Sequence, residues 1–257
     1  MVTKVRFVNA LFAALLLVAA AAANAEPVAQ PLSQWNFDDG TANDAVGSNN
    51  GTLIGNAAIV TDSQHGKVLS LDGGGDYVDF GDINAFEFGN SNFTISFWLK
   101  TGGTHDIGGD QSGYGIIFGK YNWSLGRQWN FTQTPDGKIN FATYNTPTIG
   151  EHCFSTAGYQ DQWVHITGVR DGVNKYLYID GILNATGSCN GVITGYSTKV
   201  LLGAIQDPSH YYQFFNGKID DVRVYNNALT PQEVAQLVPE PATMLLFGLG
   251  LLGLKRK

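Results

Sequence analysis

The stretch FFNGKIDDVRVYNNALTPQEVAQL, Phe214–Leu237, decides the fold. Val222 and Val224 alternate in it with Asp221, Arg223 and Tyr225, a period of two that predicts a strand over Lys218–Tyr225 with one buried face. Asp220 falls in the valine phase, so its carboxylate is expected to point inward. An ionised acid there is costly unless a cation or a set of N–H donors meets it. Asn226-Asn227 turns the chain, and Thr230-Pro231-Gln232-Glu233 supplies N-cap, N1 proline and N3 glutamate for one short helix. A last strand, an inward acid and a capped closing helix mark the end of a β-sandwich.

The alternation recurs upstream. Phe93, Ile95, Phe97 and Leu99 share one strand face, and Thr94, Ser96, Trp98 and Lys100 the other. Trp35 and Phe37 alternate with Gln34 and Asn36 in an opening strand that ends at Asp38-Asp39-Gly40. Gly51–Gly55 starts another, and Lys67–Leu71 and Tyr77–Phe80 flank a glycine-rich turn at Asp72–Asp76. Further strands are expected over Ile116–Lys120, Asn122–Trp129, Phe131–Thr134 and Lys138–Tyr144, with turns at Pro135-Asp136-Gly137, Asp171-Gly172 and Asp180-Gly181. Thr101–Gly115 reads as a glycine-rich loop, and no stretch before Thr230 sustains a helical period. With 12% aromatics and turns spaced this closely, the composition suits one all-β domain.

Three of these stretches together resemble the laminin-G-like, concanavalin A-like jelly rolls. Gly217-Lys218-Ile219-Asp220-Asp221-Val222-Arg223-Val224-Tyr225 matches the family's closing strand. Trp163–Gly172 with Leu177–Gly181 looks like its central hairpin, and Leu69–Gly73, Asp76–Val78 and Phe93–Lys100 like its early strands. The spacing of Asp44, Gly47, Asn50 and Gly51 resembles its first loop. The resemblance spans Gln34–Leu237 and implies a jelly-roll sandwich of two antiparallel sheets with one short C-terminal helix, and helical segments at the two ends. It leaves activity open, because the fold hosts many functions.

Lys4 and Arg6 precede the apolar Leu11–Ala23 run, and Ala23-Asn24-Ala25 has the small residues signal peptidase needs, so 1–25 is expected to be a secretory signal cut between Ala25 and Glu26, an N-terminal membrane helix being the alternative. Glu26–Ser33 reads as a linker. At the other end, 238–257 carries Pro239-Glu240-Pro241, the short apolar Ala242–Leu254 and the basic Lys255-Arg256-Lys257. That layout resembles the PEP-CTERM sorting signal of Gram-negative bacteria, which implies recognition by an exosortase, transient membrane anchoring and a final place at the cell surface or in the extracellular matrix. The apolar part is short for a permanent span, which takes about 20 residues. With both ends removed, fifteen basic and twenty-two acidic residues become ten and twenty-one, and the net charge moves from −7 to about −11. A nucleic-acid partner is excluded on that balance. Cys153 and Cys189 are the only cysteines, and export permits a disulfide between them, two free thiols being the alternative.

Enzymatic chemistry finds little support. The mature chain has Glu26, Glu87, Glu151 and Glu233 ahead of the sorting motif, with none of the spacing by which a strand presents a glycosidase's paired acids. There is no nucleophile elbow, and His65, His105, His152, His165 and His210 have no partner spacing. A non-enzymatic binding protein is expected, with a structural adhesive role as the alternative. The resemblance implies one structural calcium, carried over to Asp220, to Asp38 and to a carbonyl near Gly51. The other reading is that Asp220 accepts backbone N–H bonds or pairs with Lys218. It also implies a polysaccharide or glycoprotein ligand. Aromatic faces and oriented polar groups suit sugars, and the candidates are Trp123, Trp129, Tyr144, Asp207, His210, Tyr211 and Tyr212. Each aromatic alone also fits a core, save Tyr211-Tyr212, expected in a loop.

Overall fold

Strands make up nearly all the regular structure. The computed structural model describes residues 27–102, 113–146, 149–192, 194–207 and 210–238. The secretory segment with Ala25 and Glu26, the Pro239-Glu240-Pro241 motif with its tail, and His105 lie outside the described residues. The first strands are β1 (Ser33–Trp35), β2 (Thr52–Ile54), β3 (Ala58–Asp62), β4 (Gly66–Asp72), β5 (Tyr77–Asp79) and β6 (Phe93–Thr101). The middle of the chain forms β7 (Gly115–Asn122), β8 (Gly126–Gln133), β9 (Lys138–Tyr144), β10 (Gly150–Gly158), β11 (Trp163–Asp171), β12 (Asn174–Ile179) and β13 (Ile182–Ser188). The short β14 (Val200–Leu202), β15 (Ile205–Asp207) and β16 (His210–Tyr212) precede β17 (Asn216–Tyr225) and the helix α1 (Pro231–Gln236).

These strands form two sheets. The first runs β13-β12-β11-β6-β17-β4-β3 with β1 on β17, and the second runs β10-β9-β8-β7-β14-β5-β2 with the β15–β16 hairpin beside β7. The Asp171-Gly172 and Asp180-Gly181 turns join β11, β12 and β13 as expected, with Asp180 and Gly181 both at positive φ (50° and 75°). Between the sheets Trp35, Phe37, Phe97, Trp129, Phe131 and Phe141 are wholly buried. Each such ring contributes about 1.5–3 kcal/mol through burial.

The closing strand sits where the sequence puts it, beside β1 (Trp35 opposite Val222) and between β6 and β4. One inference about it is overturned. The register against β6 shifts between Asp220 and Arg223, and Asp221 has φ 47°, so an extra residue bulges out there. The bulge resets the alternation: Ile219, Val222 and Val224 enter the core, and Asp220 turns to the outer face opposite Trp98. α1 carries the expected capping box, with Glu233 N–H donating to Thr230 Oγ1 (3.3 Å) and Thr230 N–H to Glu233 Oε2 (2.7 Å). Its Val234 joins Tyr225, Val169, Tyr178, Leu229 and Leu237 in a separate apolar cluster, which seats the helix on the outer face of the first sheet.

Two local expectations change as well. Asn122–Trp129 is no single strand, because Asn122 Oδ1 accepts the N–H groups of Ser124 (3.0 Å) and Leu125 (2.8 Å) and turns the chain between β7 and β8. The segment before β1 is no free linker either. Val28 and Ala29 pack on the helix cluster, and Leu32 N–H bonds the Val224 carbonyl (2.7 Å).

Candidate functional site

The second sheet carries a cleft of about 470 Å³ on its outer face. Its floor follows from alternation. In β8, Trp129 and Phe131 go to the core, which sends Asn130 and Thr132 outward. In β9, Ile139 and Phe141 do the same for Asn140. Strand register then lines up Ile116, Thr132, Asn140 and Phe154 across β7–β10, with Gly119, Asn130, Ala142 and His152 as the next row. Gly119 and Ala142 are small enough to leave a trough. A Cβ at Gly119 would lie 2.8 Å from that of Asn130, so the close approach requires glycine. Tyr121, Trp123 and Tyr144 wall the trough, and Tyr114 and Gln213 complete it.

The polar groups here are held but not used up. Asn140 Nδ2 donates to Thr132 Oγ1 (3.2 Å) and to His152 Nδ1 (3.1 Å), while Asn140 Oδ1 is buried without a partner among the described residues. Asn130 hydrogen-bonds the Tyr144 hydroxyl, and its own Oδ1 is likewise unpartnered. Asn130 is 1% exposed and Asn140 4%, so each open carbonyl costs on the order of 1–3 kcal/mol in the empty protein. Burial raises the Tyr121 and Tyr144 hydroxyls, which stay neutral. Burial, with the Lys175 charge, lowers His152, so it is neutral near pH 7. Trp123 is 47% exposed, and the Arg127 guanidinium lies 3.8 Å from the centre of its ring.

Of the seven residues expected at a sugar site, Trp123 and Tyr144 line this cleft. Trp129 does not. It is 0% exposed in the core, its Nε1 donating to the Phe86 carbonyl (3.0 Å), because its parity on β8 is that of Phe131. Tyr211 and Tyr212 belong to β16, not to a loop, and face opposite ways. Tyr211 stacks on Tyr77 (4.7 Å) and Tyr212 packs on the Ile116–Tyr121–Tyr144 cluster. Asp207 accepts the Ser124 hydroxyl, and His210 is exposed; neither lines the cleft. Asn130, Asn140, His152 and Phe154 were not expected. For Asn130 and Asn140 the one signal is the polar phase of otherwise apolar strands, and His152 and Phe154 carry none.

The first sheet has a smaller hollow of about 230 Å³, lined by Gln34, Asn36, Asp38, His65, Trp98, Asp220, Asp221 and Arg223. Asp220 Oδ1 accepts the Asp221 N–H (2.8 Å), and Oδ2 lies 3.6 Å from His65 Nδ1. Burial, then the nearby Asp221 and Asp38 charges, pushes its carboxyl up to about 7. Asp221 is satisfied by Arg223 Nε (2.9 Å) and Gln34 Nε2 (2.7 Å). Lys218, the alternative partner of Asp220, bonds Asp62 instead (2.9 Å). Asp38 and Asp220 thus come together, but Gly51 does not join them. It packs against Val78 and Phe80, and its N–H bonds the Ala42 carbonyl (2.8 Å). Calcium takes about six to eight oxygens, and among the described residues no group of three acidic, histidine or cysteine side chains is arranged to hold a metal. The first-loop Asp44 has a structural task, accepting the N–H groups of Gln34, Val46, Gly47 and Asn49.

The cysteines form no bridge. Cys153 and Cys189 are buried free thiols, Cys189 Sγ accepting from Thr143 Oγ1 (3.3 Å) and donating to the Gly191 carbonyl (3.3 Å). Between them in charge terms lies Lys175, wholly buried and pushed down to about 8 by desolvation. Burial raises the Cys153 thiol, which makes it inert.

Comparison with known proteins agrees with this architecture. A family model described as the concanavalin A-like lectin/glucanases superfamily matches residues 72–235, and one for the PEP-CTERM protein-sorting motif matches 237–257. An adhesion G-protein coupled receptor V1 of Danio rerio is 30% identical over 164 residues, which is 59% of this chain and 2% of the receptor's length. Domain 4 of AbnA, a GH43 extracellular arabinanase from Geobacillus stearothermophilus solved with arabinotriose, superposes at TM-score 0.62 and 21% identity, covering 82% of this chain and all of that domain. The binding domain of Paraclostridial Mosquitocidal Protein 1 gives TM-score 0.66 at 16% identity over 80% of this chain, and the chain spans 51% of its length. The botulinum neurotoxin serotype G binding domain gives 0.62 at 15% over 81%, with 50% of its length spanned. At these identities the likeness is one of fold.

Proposed function

The chain belongs to the concanavalin A-like lectin/glucanases superfamily, and from that premise we propose that it is a lectin-like module that grips a polysaccharide chain in the cleft of the second sheet. The observation that carries this is the pair of buried, unpartnered amide oxygens of Asn130 and Asn140 beneath an exposed tryptophan. Sugar hydroxyls would donate to those carbonyls once a small side-chain shift uncovers them, and the C–H face of a ring would lie on Trp123. The volume and the four-strand span suit several residues of a linear glycan rather than one monosaccharide. Among the described residues no Asp or Glu lines the cleft, and the acid pair needed to cleave a glycosidic bond is not found there, which supports binding without turnover.

The sorting motif supports a place of action outside the cytoplasm. The protein is exported, handed to an exosortase through Pro239-Glu240-Pro241, and retained at the cell surface or in the surrounding matrix, where extracellular polysaccharide is the abundant polyhydroxy ligand. A glycan array and polysaccharide pull-down with the purified protein tests this, with Trp123→Ala and Asn140→Ala as controls. Binding that either substitution weakens tenfold or more, with the melt unchanged, is the expected result. Retention by neither route, or retention indifferent to both substitutions, would leave a structural adhesive protein as the better description.

A further inference from the structure

The cleft is unlike the rest of the surface in its charge. The mature domain carries about twice as many acidic as basic residues, yet no carboxylate among the described residues lines the cleft. Arg127 lies against its aromatic wall, the guanidinium 3.8 Å from the ring centre of Trp123, 5.6 Å from that of Tyr121 and 5.9 Å from that of Tyr144. All three rings line the cleft. Most other cationic side chains are occupied. Lys120, Lys138, Lys199, Lys218 and Arg223 each pair with a carboxylate, and Arg170 donates to the Gly89 and Ser91 carbonyls. Arg127 forms no ion pair among the described residues. Among the described residues its hydrogen bond runs from Nε to the Trp123 carbonyl (3.4 Å), with none from the two terminal nitrogens of the fork.

An unpaired guanidinium on an aromatic shelf is weakly hydrated and already oriented, so it loses little on meeting a planar anion. Its two N–H groups match the two oxygens of a carboxylate. The neighbouring acid, Asp207, is turned to the Ser124 hydroxyl and stays out of the lining. We propose that the ligand of this cleft is an acidic polysaccharide, a uronate-containing chain whose carboxylate pairs with Arg127 while its hydroxyls donate to Asn130 and Asn140. This rests on the cleft being the glycan site and adds the charge class of the glycan. It also accounts for a polyanion approaching a domain of like net charge. The repulsion is long-ranged and screened within about 8 Å at physiological salt, whereas the Arg127 contact is short-ranged and partly shielded.

The test uses matched ligands: oligomeric polygalacturonate and alginate, and the same oligomers after carboxyl reduction to neutral sugars. Calorimetric titration of the protein should give binding of a uronate form roughly tenfold or more tighter than its reduced counterpart, the worth of one charge-assisted bidentate contact. Arg127→Gln should erase that preference, Arg127→Lys should keep part of it, and Trp123→Ala should weaken both forms. Thermal melts of each variant guard against a folding defect. Equal affinity for the two forms, with Trp123 still required, would overturn the acidic ligand and leave the glycan cleft standing. Failure of both forms to bind while neutral glycans are captured would do the same. A uronate preference that survives Arg127→Gln would place the anion contact elsewhere and reject the assignment.

Discussion

The two hollows of this molecule are built by the same device, polar side chains sent to the outer face of a sheet, but they end in opposite states. In the first sheet, charge is gathered and then spent internally, Asp221 on Arg223 and Gln34, and Asp220 on its neighbour's N–H and on a proton it holds up to about pH 7. In the second sheet there is little charge, yet two buried amide oxygens remain open beside aromatic walls. A dense polar cluster that satisfies itself is furniture of the fold. A sparse one that leaves acceptors open is the better mark of a ligand site.

Four experiments would break or sharpen that contrast. Trp129→Ala should cost the most, about 3–5 kcal/mol by urea denaturation, because it hollows the core beneath the cleft floor. It should impair everything the domain does, whereas a true cleft residue should not. Trp123→Ala should leave stability within about 0.5 kcal/mol while weakening glycan binding roughly tenfold or more, and Trp98→Ala in the other hollow should leave binding unchanged.

Asp220→Asn probes the spent side. The folded carboxyl titrates at about 7 against an ordinary 3.8, so the native state holds its proton more tightly. The stability this confers is complete below about pH 4 and is lost as pH rises through 7. Melting curves from pH 4 to 8 should therefore decline for the native protein relative to Asp220→Asn. The asparagine variant should be the more stable above pH 7, by on the order of 1–2 kcal/mol once solvent screening is allowed for. Parallel curves would mean that Asp220 is ionised throughout. The smallest effect concerns Cys153 and Cys189: with both thiols free, dithiothreitol should not move the melting temperature, and a drop would reveal a bridge.

Much of the fold was legible because it depends on alternation and on turn chemistry, both local. The capping box at Thr230–Glu233, the turns at Asp171-Gly172 and Asp180-Gly181 and the apolar face of Phe93–Leu99 were all readable. The inward Asp220 failed at one residue, since a bulge shifts parity without altering composition. Trp129 and Trp123 show the other limit. Both are tryptophans in a polar stretch, and only knowing that Asn122 turns the chain tells which becomes core and which becomes wall. The cleft floor was beyond reach for a related reason. Asn130, Asn140 and His152 are brought together by register between strands that no spacing along the chain records.

Where α1 sits has a consequence for orientation. The helix is seated on the outer face of the first sheet, and Val238 follows at its end, so the chain departs toward its sorting signal from the side of the sandwich opposite the cleft. Whatever grips the chain beyond Val238 would therefore approach the back of the sandwich and leave the amides of Asn130 and Asn140 on the unobstructed face.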